Sequence, residues 1–309
     1  MTQPLTASRP ARPASRFSAV LGAKAGAFLA LTKPRIIELL LVTTLPTMFV
    51  ARRGVPSIGL MALTMVGGTL AAGGANAFNM VLDRDIDRLM QRTQNRPLVT
   101  GEVSAFGATV FATLLEAGAF FELWRTVNLL SAILAVSATA FYVFVYTILL
   151  KRHSSQNIVI GGAAGAVPVL VGWAAVTGKL AWAPVVLFAI IFIWTPPHFW
   201  ALAIRYRDDY AAAHVPMLPV VATFKRTARQ ILFYSVLLVA FTLLFAAVGH
   251  MGPVYVIAAA VLGVGFLATA VRLLRQSSER AAMAMFRYSI TYLTLLFAAM
   301  AADVVIRHP

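Results

Sequence analysis

Residues 76–97 read NAFNMVLDRDIDRLMQRTQNRP and end a long apolar run of the chain. Three of the protein's 11 acidic residues, Asp83, Asp85 and Asp87, fall here within five positions. Asn79, Asp83 and Asp87 are four residues apart, so a continuing helix would project all three from one face. Two carboxylates in line with an amide form an oxygen-rich site that suits a hard cation such as Mg²⁺. The alternative is a solvated helix end with mixed charges, which the scarcity of charge elsewhere in the chain argues against.

Arginines recur through the same stretch. They are Arg84, Arg88, Arg92 and Arg96. Guanidinium groups bind the oxygens of phosphates and carboxylates through charge-assisted hydrogen bonds. The stretch therefore offers carboxylates for a metal ion and cations for an anionic group.

The composition identifies the class of protein. The chain has 309 residues, of which 60% are hydrophobic and 12% are charged, with a mean hydropathy of +0.81. A soluble domain carries about 25% charged residues. This composition therefore predicts an integral membrane protein. The absence of cysteine excludes disulfides, thiolate metal ligands and cysteine nucleophiles.

Nine apolar segments are long enough to cross a bilayer as helices, which takes about 20 residues each. They are residues 36–51, 58–82, 104–123, 127–149, 157–177, 183–203, 230–249, 253–273 and 286–306. The runs are continuous rather than alternating, which excludes the strands of a β-barrel. We therefore predict an all-α polytopic membrane protein of about nine transmembrane helices.

The excess of basic residues indicates the orientation in the membrane. The net charge is +15, and Lys and Arg accumulate in the cytoplasmic loops of membrane proteins. Of the 26 Lys and Arg residues, 21 lie in the amino-terminal arm or after spans two, four, six and eight. We therefore expect a cell-membrane protein with its amino terminus and these loops in the cytoplasm and its carboxyl terminus outside. The chain lacks interleaved aromatic residues of the nucleic-acid-binding kind, so no nucleic-acid partner is expected.

The first 30 residues differ in character from the rest. They are rich in Arg, Pro, Ala and Ser, which predicts a disordered basic cytoplasmic arm. A mitochondrial transit peptide is the alternative for the same composition, whereas a secretory signal peptide lacks its apolar core here. We expect residues 31–309 to form one membrane-embedded domain.

A second acidic pair, Asp208 and Asp209, follows span six, on the same predicted side as the first cluster. If spans 1–4 and 5–8 are two related halves of the chain, the two acidic clusters occupy matching positions in them. This relation is a hypothesis, because the two halves show no strong residue-by-residue repeat. Carboxylates and arginines on two facing loops would bind a diphosphate through bridging metal ions.

Three further features are open to two interpretations each. Lys151 and Arg152 occupy a short turn, where topology and phosphate binding both explain them. The small residues Gly161, Gly162, Gly165 and Ala166 indicate close helix contact rather than a phosphate loop. His198, which follows two prolines in an apolar segment, is a packing residue or a contact of a haem iron.

Together these stretches resemble the intramembrane prenyltransferases of the UbiA type, and among them the branch that farnesylates haem. The resemblance covers nearly all the chain beyond residue 30. It begins at the Leu31-Thr-Lys33-Pro34-Arg35 stretch. Its most specific carriers are the Asn79–Asp83–Asp87 motif extended to Pro97, Lys151-Arg152 with the Asn157 segment, the Pro-Pro-His-Phe-Trp segment, and Asp209-Tyr210 with the following prolines. One departure concerns the second loop, where Ala213 stands in place of the acid that many members carry four residues after Asp209.

The resemblance implies a helical bundle of two four-helix halves plus one helix. It also implies a catalytic set of Asn79, Asp83, Asp87 and Asp209, and Mg²⁺ held by Asp83, Asp87, Asp208 and Asp209. The implied diphosphate ligands are Arg92, Arg96, Lys151, Arg152 and Asn157. The implied haem contacts are His198 and Trp200.

The implied reaction transfers the farnesyl group of farnesyl diphosphate to a vinyl group of haem b. Water adds to give the hydroxyethylfarnesyl chain of haem O, and heme A synthase is an implied partner. One alternative is a prenyltransferase of the same fold with an aromatic or quinone-precursor acceptor. Another is a membrane transporter, against which the near absence of charge within the spans argues.

Overall fold

The computed structural model describes residue 22 and residues 24–308. Within this part of the chain it is built from nine long helices and contains no β-strand. The helices are α1 (Pro34–Arg52), α2 (Ile58–Leu82), α3 (Ala105–Thr126), α4 (Leu129–Leu150), α5 (Asn157–Thr177), α6 (Trp182–Arg205), α7 (Phe224–Val248), α8 (Pro253–Gln276) and α9 (Glu279–Arg307). All but α1 are long and apolar enough to cross a membrane. The prediction of an all-α polytopic membrane protein is confirmed, with α1 in the place of the first predicted span.

Side-chain caps explain where several of these helices begin. The side chains of Ser57, Ser104, Asn128, Thr223 and Ser278 each accept a hydrogen bond from a backbone N–H three residues on, at 2.8–3.3 Å. Such caps satisfy one of the free N–H groups of a helix's first turn. Pro34 and Pro253 open α1 and α8, where a missing N–H costs nothing. Polar caps and prolines in the loops thus set the first residues of these helices.

The helices pack as a ring of neighbours in which α1 lies against α2, α5 and α9. Helix α2 packs along α3, and α6 packs against α5, α7 and α9. The largest apolar core is formed mainly by α5 to α9 and includes the fully buried rings of Tyr255, Phe266 and Tyr292. This arrangement brings the loops after α2, α4 and α6 to one end of the bundle.

The predicted arm lies mostly outside the described residues. Within the described part, residues 24–31 are helical, so the expectation of disorder up to residue 30 is wrong for this segment. Ala27 and Leu31 are buried against Ala77, Met80 and Leu98. The physical reason is apolar burial, because the segment covers the end of α2 and its loop.

Candidate active site

Helix α2 ends within the motif that the sequence analysis singled out. Its last residue is Leu82, and Asp83 caps it with φ −90° and ψ 1° before a single helical turn at Arg84–Asp87. The predicted span over residues 58–82 thus ends where α2 ends, and the acidic motif continues past the end of that helix. Backbone bonds of helical spacing nevertheless persist, from Asp83 N–H to Asn79 O at 2.9 Å and from Asp87 N–H to Asp83 O at 2.8 Å. Asn79, Asp83 and Asp87 are all buried, with 0–3% exposure.

Asp83 is the most enclosed carboxylate of the motif. Its Oδ2 forms an ion pair with Lys151 Nζ and accepts a hydrogen bond from Asn79 Nδ2 at 2.7 Å. Its Oδ1 is buried and has no hydrogen-bond partner. Because buried polar atoms are normally satisfied, an orphaned carboxylate oxygen fits the ligand set of a hard cation.

Asp87 is paired with a cation from its own loop. Arg96 Nη1 lies 2.6 Å from Asp87 Oδ2. Thr93 donates its hydroxyl to the Asp87 carbonyl at 2.8 Å, which folds the segment back on itself. Arg96, predicted to bind a diphosphate, is thereby placed at the buried end of the motif.

The second acidic pair meets the first loop. Asp209 accepts hydrogen bonds from the backbone N–H groups of Gln91 at 3.4 Å and Arg92 at 3.3 Å. The Arg92 guanidinium lies over the ring of Tyr206, 5.5 Å from its centroid. These contacts confirm that the two predicted loops lie at one end of the bundle. Asp208 is exposed.

The acids do not form one compact cluster. Across residue 22 and residues 24–308, no three carboxylate or imidazole groups stand close enough to hold an ion together. Asp83 and Asp87 belong to one loop and Asp209 to the other. A diphosphate has enough oxygens to join ions held separately on two loops, so this separation is compatible with the predicted ligands.

A π-helix brings Lys151 to Asp83. The last ten residues of α4, Phe141–Leu150, are wound as a π-helix, a rare form found frequently at functional sites. Thr147 donates to the carbonyl of Tyr142, five residues earlier, at 2.9 Å, and accepts from Asn79 Nδ2 at 3.1 Å. The wider winding turns both Thr147 and Lys151 toward the motif. Sequence analysis missed Thr147, because apolar spacing does not reveal a π-helix.

The π-helix packs closely against α5 at Tyr146 and Gly161. The rings of Tyr142 and Tyr146 are stacked, with centroids 5.3 Å apart. A Cβ added to Gly161 would lie 2.2 Å from Tyr146 Cδ2, whereas one added to Gly165 would meet nothing within 4 Å. The predicted close contact is therefore confirmed for Gly161 and wrong for Gly165, which has open space beside it.

Gly161→Ala is expected to impair both stability and turnover. The added methyl group must displace the Tyr146 ring and, with it, the segment that carries Thr147 and Lys151. Overpacking of this kind costs about 1–3 kcal/mol. Thermal unfolding in detergent and turnover assays measure the effect, with Gly165→Ala as the matched control on the same helix. Equal behaviour of the two variants would contradict the assigned contact.

Two predicted diphosphate ligands have other partners in the structure. Arg152 forms two hydrogen bonds with Asp85, at 2.6 and 2.7 Å, on the protein surface. These bonds lower the pKa of Asp85 below its usual value. Asn157 is fully buried, donates to the Lys151 carbonyl at 3.2 Å and leaves its Oδ1 without a partner. Asn157 therefore positions the Lys151 backbone, and its contact with substrate stays a prediction.

Both predicted haem contacts are buried among aromatic side chains. His198 Nδ1 lies 2.7 Å from Ser289 Oγ, and its ring is stacked between Trp194 and Phe286 at centroid distances of 4.2 and 4.7 Å. Trp200 is 1% exposed and packs edge-on against Tyr234. The enclosed Trp200 ring offers no open face to a porphyrin, so the structure gives that prediction no support.

Lys33 is a member of the site that sequence analysis did not select. Its Nζ donates to Asn79 Oδ1 at 2.8 Å. Burial of the ammonium group, and then the positive charges of Arg96 and Lys151, lower the pKa of Lys33 to about 7. The residue as a whole is half-buried. In the sequence, Lys33 stands directly before Pro34 at the edge of the first span, within the Leu31–Arg35 stretch where the family resemblance begins.

Comparison with known proteins identifies the family. The model of the UbiA prenyltransferase family matches residues 40–297. The chain belongs to the UbiA prenyltransferase family.

Curated relatives carry a more particular name. A protein of Frankia alni named "Protoheme IX farnesyltransferase" is 52% identical over 93% of this chain and 100% of its own length. Proteins of the same name from Pseudarthrobacter chlorophenolicus and Mycobacterium avium are 52% and 53% identical, over 97% and 92% of this chain and 94% and 92% of their own lengths.

Solved structures agree on the fold. A structure described as digeranylgeranylglyceryl phosphate synthase superposes with a TM-score of 0.75 at 18% identity, covering 92% of this chain and 99% of that one. A UbiA homologue from Archaeoglobus fulgidus bound to GPP and Mg²⁺ superposes with a TM-score of 0.61 at 17% identity, covering 89% and 99%. At such low identity the likeness is one of fold.

Proposed function

We propose that this protein transfers the farnesyl group of farnesyl diphosphate to a vinyl group of haem b, with addition of water, to give haem O and diphosphate. The observation that carries the proposal is the pairing of buried acids and cations, Asp83 with Lys151 and Asp87 with Arg96, at one end of an apolar bundle. Curated relatives with 52–53% identity bear the name of this activity. The aromatic-acceptor and transporter alternatives are not favoured by these comparisons.

The cations of the site bind and orient the diphosphate. Lys151 and Arg96 approach it from different elements, and Arg92 stands at the meeting point with the second loop. Positive charge placed where the leaving group gains negative charge lowers the barrier to breaking the allylic C–O bond. The vinyl group of haem b then attacks the allylic carbon, and water captures the resulting cation.

The acids would hold Mg²⁺. The ligands would be Asp83, Asp87 and Asp209, with Asp208 as a further member of the predicted set. When bound, the metal supplies charge neutralisation to the departing diphosphate. Asn79 and Thr147 keep the Asp83 carboxylate oriented, through bonds of 2.7 and 3.1 Å from the Asn79 amide.

The proposal also covers placement in the cell. We propose that the protein resides in the cell membrane, with the site-bearing loops and the amino-terminal arm in the cytoplasm and the membrane-embedded domain over residues 31–309. The support is the distribution of Lys and Arg. An association with heme A synthase, which would accept the product, stays a prediction.

The proposal is tested with purified protein in detergent, haem b and farnesyl diphosphate. We expect formation of haem O, loss of turnover when EDTA removes divalent metal, and recovery on addition of Mg²⁺. Pigment extraction and mass spectrometry identify the product. Aromatic and quinone-precursor acceptors are run in parallel. Prenylation of one of these, with haem b untouched, would overturn the assigned acceptor.

A further inference from the structure

Positive charge is concentrated where α7 begins, α8 ends and α9 begins. Arg205, the last residue of α6, pairs with Glu279 of α9 at 2.7 Å. This end of α9 therefore lies at the same end of the bundle as the loop after α6. Each of the three helices contributes two exposed arginines to it. We call this group the basic belt, and its members are Arg226 and Arg229 of α7, Arg272 and Arg275 of α8, and Arg280 and Arg287 of α9.

The protein itself does not balance the charge of the basic belt. From the start of α7 to the end of the chain, the sequence contains two acidic residues, Glu279 and Asp303. Glu279 is paired with Arg205, and Asp303 lies buried near the opposite end of α9. Of the ion pairs found in the described part of the chain, none includes an arginine of the belt. The counter-charge of the belt must therefore come from outside the chain.

The arginines of the belt lie on the faces of the helices that meet lipid. Residues one or more whole turns apart share a helix face. By this spacing each helix carries a belt arginine in line with an exposed apolar side chain: Arg229 with Phe233 on α7, Arg272 with Val261 on α8, and Arg287 with Ile290 on α9. Cations thus stand at the end of surfaces that acyl chains cover.

Two arginines of the belt turn back toward the ends of their helices. Arg287 lies eight residues, or about 12 Å, inside α9, and its Nε donates to the carbonyl of Met283, one turn nearer the start of the helix, at 3.3 Å. Arg272 Nε donates to Oε1 of Gln276, the last residue of α8, at 3.0 Å. Both side chains therefore carry their charge toward the depth of the lipid headgroups. Membrane orientation requires cations in the loops, and it does not explain an arginine two turns inside a lipid-facing surface.

We propose that the basic belt binds the phosphate groups of anionic phospholipids, whose acyl chains lie along the exposed apolar faces of α7, α8 and α9. Guanidinium groups bind phosphate oxygens through paired, charge-assisted hydrogen bonds. A zwitterionic lipid brings its own cation and would balance the belt less well. A soluble anion would leave the apolar residues in line with the arginines uncovered. The inference rests on the membrane-embedded fold and is independent of the reaction proposed above.

The first test compares lipids that differ in headgroup charge. The purified protein in neutral detergent is titrated with phosphatidylglycerol or with phosphatidylcholine of the same acyl chains, and native mass spectrometry counts the bound lipids. We expect tighter binding of phosphatidylglycerol and a loss of this preference at high salt, because salt screens exposed charges. Equal affinity for the two lipids would overturn the inference. Glycerol 3-phosphate, which lacks acyl chains, should not compete with phosphatidylglycerol at equal concentration, and effective competition would assign the belt to a soluble anion instead.

The second test removes charge from the belt. The double variant Arg272→Gln with Arg287→Gln should bind phosphatidylglycerol about fivefold more weakly for each arginine removed, with phosphatidylcholine binding unchanged. Replacing both residues by lysine keeps the charge and should retain most of the affinity. Arg52→Gln, at an exposed position in the last turn of α1 at the opposite end of the bundle, is the matched control.

The variants distinguish a lipid site from a general effect of charge. Thermal unfolding in phosphatidylcholine shows whether each variant retains its fold. Unchanged phosphatidylglycerol affinity in the folded double glutamine variant would overturn the inference. An equal loss of affinity in Arg52→Gln would also overturn it, because any exposed arginine would then suffice. Lipid binding requires neither prenyl donor nor haem, so failure of the protein to farnesylate haem is a separate result.

Discussion

Asp83→Asn should lower the turnover of farnesyl diphosphate by about 10²–10³-fold, the loss typical when a group that stabilises transition-state charge is removed. The carboxylate is fully buried, and one oxygen is free for a metal ion while the other holds Lys151. The amide keeps the shape and one oxygen for Lys151, but it lacks the negative charge on which metal binding depends. Initial rates of haem O formation at saturating Mg²⁺ measure the effect.

Asp85→Asn is the matched control for this variant. Asp85 belongs to the same acidic motif, yet its side chain is 64% exposed and pairs with Arg152 at the surface. Exposed ion pairs contribute about 0–1 kcal/mol, so a small change in stability and turnover is expected. If Asp85→Asn lost as much activity as Asp83→Asn, burial would not distinguish the metal ligands from other acids of the motif. The assignment of Asp83 as a metal ligand would then be wrong.

Lys151→Met is expected to reduce stability and turnover together. It leaves the Asp83 carboxylate buried without its cation, and breaking such a pair costs about 3–5 kcal/mol. It also removes a positive charge from the predicted diphosphate site. Thermal unfolding in detergent reports the first effect, and the KM for farnesyl diphosphate reports the second.

A double variant separates the two effects. Combining Asp83→Asn with Lys151→Met removes both charges, so no lone carboxylate remains buried and much of the lost stability should return. Turnover should stay at the level of the worse single variant, because neither metal ligand nor diphosphate ligand is restored. Additive losses of stability in the double variant would show that the two residues are not energetically paired.

Much of the architecture could be predicted before any coordinates were known. Runs of about 20 apolar residues have few ways to satisfy their backbone groups in a bilayer other than as helices, so eight spans and the place of α1 followed from composition alone. Ser, Thr and Asn caps mark where five of those helices begin. The acidic motif was also visible, because charge is rare in this chain.

Other features needed the folded chain. The π-helix at Phe141–Leu150 and the left-handed backbone of Lys33 arise from local bonds that a periodic pattern does not encode. The pairing of Lys151 with Asp83 joins residues 68 positions apart. Residues 24–31 became helical because Leu31 and Ala27 cover apolar surface that only the assembled bundle presents.

The sequence by itself determined the class of fold, the approximate number of long apolar helices and the residue types gathered at one end of the bundle. These follow from the length of each apolar run and from the few positions that carry charge, both of which are local properties of the chain. Only the tertiary structure decided which cation meets which acid. Burial and distance between remote residues set those energies, and neither exists until the helices pack.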